Sequence, residues 1–335
     1  MTDTPLGWGL IGCGGAGRGH ARGAAEHPEV AVRAFCDVDP GSAERLAAEH
    51  EGAVHTTDPE RLFSDPGIDI LSIATAHDSH ADLAVAALEA GKHLWLEKPM
   101  AMTVADCLRI EAARQAADRR LMLNFSIRFS GAARAVRERL GRPLVSHGQC
   151  TQAPADLTTW RWHPEVGGGP LYDVGVHALD LLCWIHDDDP VEVYATGGQV
   201  THPGQLGSPE MVDTAAATLR FGNGSVATFL MTDAGRNELL SKWFFEFFDG
   251  AGTAVLHEHF GTATFTAPDP DSGDLVSETV KPGPVPRIGD LVAAVRSGTE
   301  PAISSREGIR STLLVERIID SIGSGRPQKV EMPAF

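Results

Sequence analysis

Through the first 125 residues, short apolar runs alternate with longer stretches in which apolar side chains recur every three or four positions. The runs at 7–11, 30–36, 70–74, 93–96 and 121–125 have the length and composition of strands. The Ala-rich segments between them, at 17–26, 42–50, 80–90 and 104–117, have helical spacing, and 53–63 adds a short strand and a small helix. Strand and helix in regular turn predict a parallel sheet with helices on both faces.

The pattern then changes. "DTAAATLRFGNGSVATFLMTD" is two alternating strands around Gly222-Asn223-Gly224, a hairpin signal. "KWFFEFFDGAGTAVLHEHFGTATFTAPD" runs strand, turn, strand, turn, strand. These segments predict a largely antiparallel sheet, with a helix around Leu179 packed on it. Loops are expected at 268–274 and 281–286, and helices near 288–296 and 306–321. The chain therefore divides into 1–125 and 126–335.

Two stretches of the first part carry candidate chemistry. In "GLIGCGGAGRGH", Gly12-x-Gly14-x-x-Gly17 follows an apolar strand and opens a helix. Gly12 would make the tight turn, Gly14 would admit a pyrophosphate to the backbone, and Gly17 would let helix and strand pack closely. Phosphates would rest on the helix N-terminus. Asp37 ends the second strand, 20 residues beyond Gly17, and is followed by Val38 rather than an Arg. A carboxylate there accepts both ribose hydroxyls and repels a 2′-phosphate, which favours NAD over NADP. In "GKHLWLEKPMAMT", Glu97-Lys98-Pro99 stands at the carboxyl end of a later strand, where open α/β sheets bind ligands. Pro99 restrains the backbone of Lys98.

In the second part, "GGGPLYDVGVHALDLLCWIH" reads as a buried helix that keeps Asp173, His177 and Asp180 at i, i+4 and i+7, on one face. The loop before it holds Trp160, Arg161, Trp162 and His163, aromatic faces and a guanidinium fork suited to a polyhydroxylated ring. Asn124 and Arg128, at the end of the sixth strand, are candidates for the same ligand.

Composition narrows the partners. The 335 residues are 42% hydrophobic and 22% charged, ordinary for a globular protein, with a formal net charge of −17. That balance argues against nucleic acid and anionic membrane surfaces. "MTDTPLGWGLIGCGG" lacks the basic and apolar segments of a secretory signal, and no run reaches 18 apolar residues. The five cysteines are scattered without a CxxC pair, as expected of reduced thiols in a cytoplasm. "HDSH" and "HEH" have no third ligand at a recognisable spacing, so no metal is expected.

Together "GLIGCGGAGRGHA", "IATAHDSHADLAVAALEAGKHLWLEKPMA" and "GGGPLYDVGVHALDLLCWI" resemble the Gfo/Idh/MocA oxidoreductase family, and the likeness runs to the closing "GIRSTLLVERIIDSIGSGRPQKV". The resemblance implies an N-terminal Rossmann domain, a doubly wound parallel sheet that binds NAD(P). It also implies a C-terminal α+β domain whose large mixed, mostly antiparallel sheet binds substrate and joins a homodimer or homotetramer. Lys98 corresponds to the active-site lysine, Asp173 and His177 to its partners, and Thr75, His80 and Glu97 to positions lining the cofactor. The implied reaction moves a hydride between nicotinamide and a secondary alcohol or ketone of a sugar, inositol or related polyol. His177 then takes the hydroxyl proton, Asp173 orients it, and Lys98 stabilises the developing alkoxide. Two alternatives share the cofactor: a glycoside hydrolase working by transient oxidation and elimination, and a non-catalytic dinucleotide sensor.

Overall fold

The computed structural model describes residues 4–152, 156–235 and 240–335. It divides into two compact units, the first comprising Met1–Asn124, Pro286–Ile309 and Phe335, the second Phe125–Val285 and Arg310–Ala334.

The first unit alternates as its apolar pattern predicts. In order it contains β1 (Leu6–Ile11), α1 (Gly15–Ala25), β2 (Val30–Cys36), α2 (Pro40–Ala47), β3 (Val54–Thr56), α3 (Glu60–Phe63), β4 (Ile70–Ile73), α4 (His80–Glu89), β5 (His93–Leu96), α5 (Val104–Ala117) and β6 (Leu121–Leu123). The strands form one six-stranded sheet in the order β3-β2-β1-β4-β5-β6, with every pairing parallel. Strands β1, β4 and β6 are buried along their whole length, because crossover helices cover both faces. Local chemistry sets the helix starts. Asp39 caps α2 by accepting from the N–H groups of Gly41 and Ser42, with Pro40 at the first helical position. Thr103 caps α5 through the N–H of Asp106. The chain order reverses between β1 and β4, the place where doubly wound sheets open a crevice at their carboxyl edge.

The second unit is built on a nine-stranded sheet. Its strands are β7 (Val145–Thr151), β8 (Pro190–Gly198), β9 (Thr214–Phe221), β10 (Val226–Thr232), β11 (Trp243–Phe248), β12 (Thr253–His257), β13 (Thr262–Pro268), β14 (Leu275–Val280) and β15 (Gln328–Lys329). Their order is β14-β13-β12-β11-β7-β10-β9-β8-β15, antiparallel throughout except where β10 runs parallel to β7. The fold is thus α/β, a Rossmann sheet beside a mixed, mostly antiparallel sheet. The expected hairpin joins β9 to β10, with Phe221 N–H donating to Ser225 O at 2.9 Å. Helices α6 (Gly131–Arg139) and α7 (Val176–His186) belong to this unit, and α7 packs on β7 and β10. Gly148 on β7 has no room for a side chain: a Cβ there would lie 2.5 Å from the Phe245 ring. No helix among the described residues is long and apolar enough to cross a membrane.

One local expectation needs correction. The helix holding Asp173, His177 and Asp180 is not regular, for Leu171–Gly175 form a π-turn that runs into α7. The wider turn shifts Asp173 relative to His177 and Asp180, which both lie within regular α7. Asp180 instead turns inward, 2% exposed, to the guanidinium groups of Arg128 and Arg310.

Candidate active site

In the first unit, the candidate residues lie on one edge of the sheet because they follow successive parallel strands. Gly12 follows β1, Asp37 follows β2, Thr75 lies two residues past β4, Glu97 and Lys98 follow β5, and Asn124 follows β6. Backbone bonds bind this edge together. Gly12 N–H donates to Cys36 O, Ala74 N–H to Ile11 O, Glu97 N–H to Ile73 O, and Asn124 N–H to Leu96 O, all at 2.8–2.9 Å.

The three glycines play separate parts. Gly12 has φ +96°, and a Cβ there would meet Ala74 O at 2.4 Å. A Cβ on Gly17 would lie 1.9 Å from Gly12 O, so only glycine lets α1 pack this close to the turn. Around Gly14 and Gly15 a Cβ would meet nothing within 4 Å. The N-terminus of α1 has no side-chain cap and no acidic residue in its first turn. Bare N–H groups beside open space fit the phosphates of a dinucleotide. Asp37 is fixed next to this turn, its carboxylate accepting from Cys13 N–H at 2.7 Å and Asp39 N–H at 2.9 Å. Burial pushes the Cys13 thiol up to about 12, and the Asp37 charge adds to the effect. These residues fit a nicotinamide dinucleotide.

Lys98 stands part-buried in an otherwise buried turn. Of residues 94–101 it alone is not buried, and its peptide bond to Pro99 is cis. Fully buried His80 holds the far side of that turn: one ring nitrogen, Nδ1, is 2.7 Å from Pro99 O, and the other, Nε2, is 3.3 Å from Thr75 O. Burial lowers the His80 pKa, and the contacts to Pro99 O and Thr75 O oppose that shift. Thr75 Oγ1 in turn accepts from Ser79 at 2.7 Å.

Glu97 is 8% exposed. Its carboxylate accepts from His20 Nε2 at 3.0 Å, from Asn124 Nδ2, and from Lys98 N–H at 3.2 Å. Burial alone would raise its pKa. The hydrogen bond and charge of His20, then Lys98 and Asn124, bring it down to about 2.

In the second unit, the π-turn presents Asp173 and the first turn of α7 presents His177, both part-buried. His177 is held edge-on between two aromatic rings, Phe125 at 6.0 Å and Trp243 at 6.3 Å. Arg161 Nε lies 3.2 Å from Asp173 Oδ2, and the same guanidinium sits 4.7 Å over the Trp160 ring. The glycine run fixes this loop. Gly167 N–H donates to His163 O and Gly169 N–H to Arg161 O, at 2.9 and 3.0 Å. A Cβ on Gly167 would lie 2.4 Å from Arg161 Cα, and Gly169 has φ +84°. Arg128 is otherwise engaged: it is 6% exposed, with Nε and Nη2 both on Asp180 at 2.8 and 2.5 Å.

Sequence reasoning passed over His20, Trp243 and Lys242. His20 stands three positions past the last glycine of the motif, and its side chain is drawn to β5, where it stacks on Trp95 at 3.8 Å. Lys242 Nζ bonds Gln152 Oε1 at 3.1 Å, and its charge is felt with that of Asp173 at the buried thiol of Cys150. Among the described residues no group of three metal-ligating side chains is gathered, and all five cysteines are free and buried.

Comparison with known proteins adds two matches to family models. That of the oxidoreductase family with an NAD-binding Rossmann fold covers residues 6–125, and that of the GFO/IDH/MocA C-terminal domain covers residues 132–244. The 1,5-anhydro-D-fructose reductase of Ensifer adhaerens is 33% identical over 231 residues, 66% of this chain and 68% of its own. The myo-inositol 2-dehydrogenase of Thermotoga maritima is 26% identical over 337 residues, 96% and 98% of the two chains. A solved structure of levoglucosan dehydrogenase with NADH and levoglucosan has a TM-score of 0.87 at 23% identity, covering 99% of this chain and all of that one. At that identity the likeness speaks for the fold.

Proposed function

The chain belongs to the Gfo/Idh/MocA oxidoreductase family, and from that premise we propose that it is an NAD-dependent dehydrogenase or reductase of a sugar, inositol or related polyol. One observation carries the reading. The glycine turn, Asp37, Thr75 and the part-buried Lys98 share the carboxyl edge of a single parallel sheet, with bare helix N–H groups and open space at Gly14.

Bound nicotinamide supplies the hydride acceptor, or donor in the reverse direction. The N–H groups at the start of α1 hold the pyrophosphate, and Asp37 accepts the adenosine ribose hydroxyls, which selects NAD over NADP. Thr75 and His80 shape the cofactor side of the Lys98 turn. His177 takes the proton of the substrate hydroxyl, and the aromatic rings of Phe125 and Trp243 fix its orientation. Asp173 favours the charged form of His177, while Arg161 anchors Asp173 and, with Trp160, offers a hydrogen-bonding fork and a flat apolar face to a polyol. Lys98 hydrogen-bonds the oxygen on which charge develops. The enzyme works in the cytoplasm, where its five buried thiols stay reduced. It assembles as a homodimer or homotetramer through the nine-stranded sheet, whose β9 exposes Ala216, Thr218 and Arg220 on one face.

A screen of sugars and polyols with NAD and NADP separately tests the reading. It expects NADH absorbance to rise with at least one polyol. A flat signal with NAD across the panel contradicts it; product release at constant absorbance would instead mark the hydrolase.

A further inference from the structure

Glu97 stands at a position that family likeness connects with cofactor, yet every contact of its carboxylate is internal. Oε1 takes His20 Nε2 and Asn124 Nδ2, and Oε2 takes the N–H of Lys98. The three side chains come from α1, the end of β5 and the end of β6, and all are buried, at 0%, 8% and 3% exposure. A carboxylate only accepts, so Nε2 of His20 carries a proton. Its Nδ1 has no hydrogen-bond partner among the described residues, so the Glu97 bond and the stack on Trp95 are what fix the ring. Lys98 is thus held from both sides, by Glu97 at its own N–H and by His80 at the carbonyl of Pro99. The charged or titratable groups facing Glu97 are His20, Lys98 and His80.

We propose that His20, Glu97 and Asn124 are positioning residues that aim the Lys98 side chain. The network rests on the reading of Lys98 as the group that meets substrate. His20 also ties that aim to α1, the helix whose N-terminus receives the phosphates, so the lysine and the cofactor cradle keep a common register within the unit.

The test uses His20→Leu, which removes the donor, and His20→Gln, which restores an N–H at similar reach. NADH affinity is read by fluorescence, turnover under saturation, and folding by thermal melt. His20→Leu should lower kcat by about tenfold or more while the NADH Kd stays within about twofold, and His20→Gln should recover most of the loss. Asn124→Ser, which removes the other side-chain donor, repeats the test if His20→Leu does not fold. Unchanged kcat with a lower Tm would reduce the network to scaffold and overturn the proposal. A tenfold weaker NADH Kd in Glu97→Gln alone would make Glu97 a cofactor ligand and overturn it equally.

A second readout needs no substrate. The chain has five lysines, so ¹³C-dimethylated protein gives few resonances, and Lys98→Arg identifies the one from Lys98. That resonance should move in His20→Leu and return in His20→Gln; a resonance that stays put overturns the proposal. If it moves as expected but Lys98→Ala turns over normally, the network stands and the role given to Lys98 falls.

Discussion

His186, the last residue of α7, is a fully buried ring stacked on Phe221 at 4.2 Å, with its two nitrogens 2.8 Å from the hydroxyls of Ser146 and Ser225. Two rotatable hydroxyls satisfy a neutral imidazole, one as acceptor and one as donor. Burial pushes its pKa from 6.5 down to about 4, and Asp188 offsets only part of that. The unfolded chain therefore takes up a proton near 6.5 and the folded chain only near 4. Stability is fully present above pH 6.5 and is lost as pH falls through that window; below about 4 both forms are protonated and the loss stops. The gap corresponds to about 3 kcal/mol. His186→Gln keeps the hydrogen-bonding ability without a titrating group. Urea unfolding of both proteins from pH 7.5 to 4 should show the wild-type advantage shrinking by about 3 kcal/mol. Parallel stability curves would refute the claim that a neutral ring is built into this core.

Other substitutions separate fold from cofactor binding. Gly17→Ala places a Cβ 1.9 Å from Gly12 O and should cost about 2 kcal/mol of stability in a thermal melt. Gly14→Ala enters open space, so its Tm should hold while NADH affinity, read by fluorescence, drops by about tenfold. Asp37→Ser removes the charge that turns away a 2′-phosphate. The ratio of kcat/KM for NAD over that for NADP should fall by about tenfold or more, and an unchanged ratio would deny Asp37 its role.

How far these features could be read from sequence depends on whether local and long-range demands agree. Strands β1, β2 and β5 and helices α4 and α5 fall within a residue or two of the apolar pattern, because burial on both faces leaves continuous apolar runs that local spacing reveals. Strand β7 was hidden. Its Ser146 bonds His186 and its Gly148 makes room for the Phe245 ring, so a buried strand carries polar and small residues. Strand β14, exposed along most of its length at the sheet edge, has no alternation to read. The π-turn at Leu171–Gly175 is wider than any apolar spacing announces, and so the face shared by Asp173 and Asp180 was misjudged. Among the site residues, the glycine turn, Asp37 and Lys98 announce themselves by position after strands. The pairing of His20 with Glu97 spans 77 residues and emerges only when α1 folds against β5.

A double-mutant cycle of turnover is the most direct test of the roles proposed for Lys98 and His177. Lys98→Ala and His177→Ala should each lower kcat by about 10²- to 10⁴-fold with NADH binding kept, and the double variant should be hardly slower than the worse single one. Full activity in either single variant, or losses that simply multiply in the double, would contradict those roles.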